Sequence, residues 1–262
     1  MKKLVGLSVF MGLLILPGCL DTVEETTMNE DGSGVYTSIA DMSKLLSIVV
    51  AMGGNDEKTK ELQKLNMDTT MMLATMQDSS MQLTDEEKKL IEKGTARVII
   101  NMKDEKFTAT FNIPFSKPAD IPAINSFLKS SKANLLQKHM KNALPGGGQT
   151  NEDMDMFVGG GGGQPDISDY FDFTYERSKL KKKLNKEKYA KIEEDDSLKN
   201  LMEMGQMGMP VSFKTVINLP KPAKKAEGKG VILSDDKKKI IIEGTLEDFM
   251  EDASKFEYEI EF

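Results

Sequence analysis

Apolar and polar residues alternate most cleanly over two neighbouring stretches. Ala96, Val98, Ile100 and Met102 recur at every second position, as do Phe107, Ala109, Phe111, Ile113 and Phe115, with Lys103-Asp104-Glu105 between the runs. Thr108, Thr110 and Asn112 occupy the opposite face. A period of two with one apolar face predicts an antiparallel hairpin half-buried against a core. The same logic pairs Val23–Met28 with Val35–Ala40 around Asn29-Glu30-Asp31-Gly32-Ser33-Gly34, because Asn, Asp and Gly between β-prone runs make a turn. Taken as a calcium loop with Gly34 sixth, this turn would put Ala40 where a bidentate glutamate is required. The hairpin is therefore the expectation.

Strand signals return later in the chain. Phe171, Phe173 and Tyr175 mark one strand, running into Lys179–Lys191 with its seven lysines, and Val211, Phe213, Ile217 and Leu219 mark another. Val231–Leu233 and Ile240–Ile242 form a hairpin around Ser234-Asp235-Asp236-Lys237, and Phe256, Tyr258, Ile260 and Phe262 alternate with Glu257, Glu259 and Glu261. Helices are expected over Lys44–Met52, capped by Asp41 or Ser43, and over Glu57–Met76, where Thr69-Thr70 weakens the middle. Thr84-Asp85-Glu86-Glu87 is a capping-box pattern opening a short helix that Gly94 closes. Asp120 and Pro122 open a helix to about Ala143, and another starts near Asp196 and ends at Gly205–Gly208. Thr245-Leu246-Glu247-Asp248 caps the last one, with Leu246, Phe249, Met250 and Ala253 on one face. Together these predict an α+β fold: antiparallel β-hairpins in a meander sheet, with helices packed over one face.

The N-terminus carries the sharpest chemical signal. Lys2 and Lys3 precede an apolar run from Leu4 to Leu16, and Leu16-Pro17-Gly18-Cys19 follows, with no other cysteine in the chain. This is the pattern of a bacterial lipoprotein signal: lysines hold the start in the cytoplasm, the apolar run enters the bilayer, and small Gly18 admits the peptidase. The Cys19 thiol then accepts the diacylglycerol. The run is shorter than the roughly 20 apolar residues of a spanning helix. Residues 1–18 are thus expected to be cleaved, leaving acylated Cys19, a tether over 19–28 and an ectodomain over 29–262. Two or three acyl chains hold a protein on a membrane durably where one does not. Leu20, not an acidic residue, follows the cysteine, which favours the outer membrane where a cell has two.

Charge and composition narrow the partners. Net charge is −7 and becomes −9 once Lys2 and Lys3 leave with the signal, and only Arg97 and Arg177 are arginine among 35 basic residues. That balance argues against nucleic acid. With Cys19 acylated no thiol remains for a disulfide or for cysteine catalysis. Residues 145–165 hold eight glycines between Pro145 and Pro165 and are read as a long flexible loop within the ectodomain.

The lipobox, the Asn29–Gly34 hairpin, Ile217-Asn218-Leu219-Pro220-Lys221-Pro222, Leu233-Ser234-Asp235-Asp236-Lys237 and Gly244-Thr245-Leu246 resemble a group of bacterial envelope lipoproteins of the LppM-like kind. The resemblance implies an α+β ectodomain and envelope lipid binding.

Catalytic chemistry finds little support. His139 is the single histidine and sits in polar Gln137-Lys138-His139-Met140-Lys141, as a surface helix residue would. One histidine and one blocked cysteine exclude an ordinary zinc site, and no cofactor is expected. Carboxylate pairs at Asp56-Glu57, Glu152-Asp153, Glu193–Asp196 and Glu247-Asp248 leave a carboxylate-based hydrolase as an alternative. Met202, Met204, Met207 and Met209 are weak candidates for soft Cu(I), against the plainer reading of methionine as core filler. Lys179–Lys191 is expected to be a solvated strand-to-helix junction, with anionic headgroups as its competing partner. The expectation overall is a lipid-anchored, non-enzymatic binding or scaffolding module whose known partner is the membrane at Cys19.

Overall fold

The computed structural model describes residues 20–44, 47, 66–76, 83–128, 167–206 and 210–262. The first two strands, β1 (Leu20–Met28) and β2 (Gly34–Asp41), pair antiparallel from Met28 opposite Gly34 to Asp21 opposite Asp41. Their turn closes on itself. Asn29 N–H donates to the Ser33 carbonyl at 2.7 Å, Gly32 takes a φ of +90°, and the Asp31 carboxylate accepts from Ser33 N–H at 2.9 Å. The Ser33 hydroxyl, donating at 2.7 Å, and then the Ser33 N–H hold the Asp31 carboxyl below its ordinary range. Asp31 is therefore occupied by its own turn, as a hairpin requires.

β3 (Asn66–Met72), β4 (Thr95–Asn101) and β5 (Lys106–Phe115) continue the sheet, and β4 and β5 form the hairpin their alternation predicts. Ala96, Val98, Ile100, Phe107, Ala109, Phe111, Ile113 and Phe115 are all buried. β6 (Phe171–Glu176) and β7 (Lys179–Leu184) form a second hairpin, followed by β8 (Val211–Asn218), β9 (Lys225–Glu227), β10 (Ile232–Leu233), β11 (Lys239–Thr245) and β12 (Tyr258–Glu261). Eight strands make one sheet in the order β10-β11-β8-β1-β2-β5-β4-β3, and four make another in the order β6-β7-β12-β9. Every pairing is antiparallel except β1 with β8. The fold is α+β, and one hydrophobic core unites both sheets with the helices.

Helices form where caps and apolar faces coincide. Thr84 and Glu87 make a reciprocal capping box on Asp85–Ile91, and Thr245 and Asp248 do the same on Leu246–Glu251. Ile121, Ile124, Phe127 and Leu128 bury one face of the helix over 121–128. Tyr170, Tyr189, Phe171 and Phe256 surround Phe249 with ring centroids 5.5–6.0 Å away, docking the last helix under the second sheet.

Three expectations are corrected. Residues 20–28 are no tether: β1 lies inside the larger sheet, hydrogen-bonded on both sides. The polar look of this stretch misleads because Thr22 and Thr26 are among its buried residues. In the described part of the helix expected over Glu57–Met76, Asn66–Met72 is a strand and Leu73–Met76 is helical, because Met67, Thr69 and Met71 pack at period two along β4. The run Lys179–Lys191 does not continue the preceding strand but is set off by a turn at Arg177-Ser178, then divides into β7 and a helix over Lys186–Tyr189. Of the Lys44–Met52 helix, residues 44 and 47 are helical and the rest lies outside the described residues, as do 57–65, 129–143, the glycine segment 145–165, and residues 1–19.

Gly34 is where β1, β2 and β5 come closest. A Cβ there would run into the Thr27 carbonyl and the Phe115 ring. Gly34→Ala should therefore destabilise the fold by about 1–3 kcal/mol, the usual cost of overpacking. Urea unfolding measures this, and an unchanged midpoint would mean that the β1–β2 backbone at Thr27 and the Phe115 ring both give way at no cost.

Candidate functional site

The end of β1 that precedes Leu20 is where sequence and structure meet. Leu20 is buried, pairs with Val211, and its N–H donates to the Pro210 carbonyl at 3.4 Å. Cys19 itself lies outside the described residues. Its peptide partner is nonetheless held in the middle of the larger sheet.

The lysine run separates into three environments. Lys179, Lys181 and Lys183 stand on one face of β7 and meet the glutamates of the C-terminal segment. Lys179 reaches Glu259 at 3.1 Å and Glu261 at 3.2 Å, Lys181 reaches Glu259 at 3.5 Å, and Lys183 reaches Glu257 at 3.5 Å. From β9, Lys225 adds contacts to Glu227 at 3.1 Å and Glu259 at 3.4 Å. Hydrogen bonds from Lys179 and then Lys225 pull the Glu259 carboxyl down to about 2. Lys182 points the other way: it is 4% exposed, its ammonium 4.4 Å from the Phe171 ring centroid and 5.6 Å from that of Phe173. Lys186, Lys188 and Lys191 are exposed, with Glu187, Glu193 and Glu194 near them in sequence. The lysines of the sheet face are thus matched by glutamates, while the junction keeps exposed lysines.

Between the sheets lies a polar cluster that sequence reading did not find. Thr22 and Thr26 on β1 and Ser38 on β2 are buried, and Glu24 shares the register of Thr22 and Thr26. Tyr175 and Tyr258 share a hydrogen bond within range of Glu24. Burial is the largest influence on both phenols and pushes them well above their ordinary value, with the Glu24 charge adding to it. Both hydroxyls therefore stay protonated, as donors rather than bases. Among the described residues, the Thr22 hydroxyl and the Asn125 carbonyl oxygen lack a hydrogen-bond partner. The available signal was Glu24 flanked by Thr22 and Thr26 on a face that Leu20 and Met28 close with apolar side chains.

The remaining candidates scatter. Met202 is exposed on the helix Asp196–Gln206, Met204 lies in that helix, and Met207 and Met209 fall outside the described residues. His139, Asp56, Glu57, Glu152 and Asp153 fall outside as well. Asp195 accepts from Tyr170 Oη at 2.7 Å and from Leu198 N–H at 3.2 Å, and Asp248 caps its helix and pairs with Lys255 at 2.7 Å. These carboxylates serve helix ends. Among the described residues no group of three or more His, Cys, Asp or Glu side chains is placed to hold a metal ion. No protein-family model, curated protein or solved structure matches the chain.

Thr22→Val keeps shape and removes an unsatisfied buried hydroxyl, so it should stabilise the protein by about 1 kcal/mol in chemical unfolding. A loss of stability would reveal a partner for that oxygen. For Glu259 the folded carboxyl sits near 2 against an ordinary 4.5, so its contribution is present above pH 4.5 and fades as pH falls toward 2. Melting temperature should fall less steeply across that window in Glu259→Gln than in the parent. The difference should be small, because partly exposed pairs contribute little.

Proposed function

We propose that this protein is a lipid-anchored cell-envelope lipoprotein whose α+β domain acts as a binding or scaffolding module rather than an enzyme. The observation that supports this most is that Leu20, one residue past the acyl acceptor of the lipobox reading, already lies in the larger sheet. A processed chain beginning at Cys19 keeps every residue of β1, whereas a cut farther along would remove a strand from the middle of the sheet. The lysine–glutamate ladder and the helix-capping carboxylates are engaged in holding the fold, which favours a non-enzymatic role. Among the described residues no helix is long and apolar enough to cross a membrane, so attachment in this reading falls to Cys19. Leu20 after the cysteine favours the outer membrane in a cell that has two.

Replacing the acceptor tests the reading directly. Cys19→Ala should abolish incorporation of a labelled fatty acid and leave an unprocessed or soluble product. Undiminished labelling of that variant would refute the lipoprotein assignment.

A further inference from the structure

A chain anchored at Cys19 and folded from Leu20 has no slack between lipid and sheet. Adjacent Cα atoms are about 3.8 Å apart, so a lipid on Cys19 is joined to the sheet through one residue step. The other strand ends at this level follow from the register. Asp21 lies opposite Asp41 of β2 and alongside Ser212 of β8, Ser212 lies opposite Thr245 of β11, and Asp41 lies opposite Thr108 of β5. Just beyond them are Lys103, Asp104 and Glu105 in the β4–β5 turn, Ser43 and Lys44 after β2, and Pro210 before β8. Nine residues of β1 separate this rim from the Asn29–Ser33 turn, about 30 Å at 3.3 Å per residue. The β10–β11 turn around Asp235 lies at that far end, since Lys239 pairs with Asn218 and Asn218 follows the level of Thr27.

We infer that the rim around the end of β1, formed by Asp41, Ser43, Lys103–Glu105 and Pro210, is a membrane-facing surface seated at the headgroup level of a phospholipid bilayer. The far rim, carrying the Asn29–Ser33 and Asp235–Lys237 turns, is held away from the lipid. This rests on the anchor reading of Cys19. The seat is polar: Lys44, Lys103 and Lys106 are mixed with Asp41, Asp104 and Glu105, matching the mixed charges of zwitterionic headgroups rather than an apolar interior. Lys179, Lys181 and Lys183 of β7 are already paired to glutamate, so that face of the second sheet is not a free basic surface that would turn the domain over.

The test uses the acylated, full-length mature protein in vesicles of phosphatidylethanolamine and phosphatidylglycerol that contain headgroup spin-labelled lipid. Acylated Cys19 is a thioether, so a new cysteine takes a thiol-reactive fluorophore uniquely. Lys103 and Asp235 are both exposed turn residues. The label at Lys103→Cys should be quenched several-fold more than the label at Asp235→Cys. Inserting about ten Gly/Ser residues between Cys19 and Leu20, with a reach of about 17 Å, should erase most of that difference. The mass of the N-terminal peptide reports the anchor separately. An acylated peptide with equal quenching at both sites overturns the orientation alone, and a peptide without acyl mass overturns the anchor reading and the orientation with it.

Discussion

β1 is the strand on which the sheet depends. It bonds antiparallel to β2, its neighbour in sequence, and parallel to β8, almost the whole chain away. Without it the larger sheet falls into β10-β11-β8 on one side and β2-β5-β4-β3 on the other. Its side chains tie the ladders further: Ser212 Oγ donates to the Asp21 carboxylate, and Asn218 Nδ2 donates to Glu25 at 2.5 Å and to Thr27 at 3.0 Å. The parallel pairing cannot form until the C-terminal third exists. Loop-closure entropy must be overcome before that contact returns anything, so β1–β8 pairing is expected late in folding.

Legibility in the sequence followed how plainly each residue reported its surroundings. β4 and β5 were legible because Val98, Ile100, Phe111 and Ile113 are apolar and buried, with threonines outside. The two capping boxes were legible because Thr84 and Thr245 act within three residues of themselves. β1 was legible from Val23 onward, as one arm of the Asn29–Gly34 hairpin, but Leu20–Thr22 passed for tether because Thr22, Glu24 and Thr26 interrupt the apolar alternation. β3 was not, because an edge strand is only half-buried, and its Met67 and Met71 are spaced as well for a helix as for a sheet. The division into two sheets was also hidden, since it depends on where β12 inserts rather than on any local pattern.

That insertion explains the lysine run. Lys179, Lys181 and Lys183 at period two face Glu257, Glu259 and Glu261 at period two, so each strand's charge pattern is completed by the other. Seen alone, the run is a basic segment; seen in register, it is half of a ladder. Partly exposed pairs of this kind add little stability each. Their effect lies in register: a slip of one residue would turn Lys182 outward and drive Leu180 and the glutamates' partners to the wrong face. The buried position of Lys182 between phenylalanine rings is the cost of using consecutive lysines at 181–183, and the rings offset it.

The interior cluster and the strand end answer the same demand. A strand with Thr22, Glu24 and Thr26 facing inward cannot be covered by an aliphatic sheet alone, because buried polar groups need partners. Near Glu24, Tyr175 and Tyr258 answer that demand with apolar ring bodies and protonated hydroxyls, while the Thr22 hydroxyl stays without a partner. β1 is thereby held by backbone ladders on both edges and by side chains on its inner face. If the lipid is attached at Cys19, any pull from the membrane runs along β1. Such a pull loads the hydrogen bonds to β2 and β8 together in shear rather than opening them one at a time. A strand secured on three sides is suited to carry an anchor with no intervening tether.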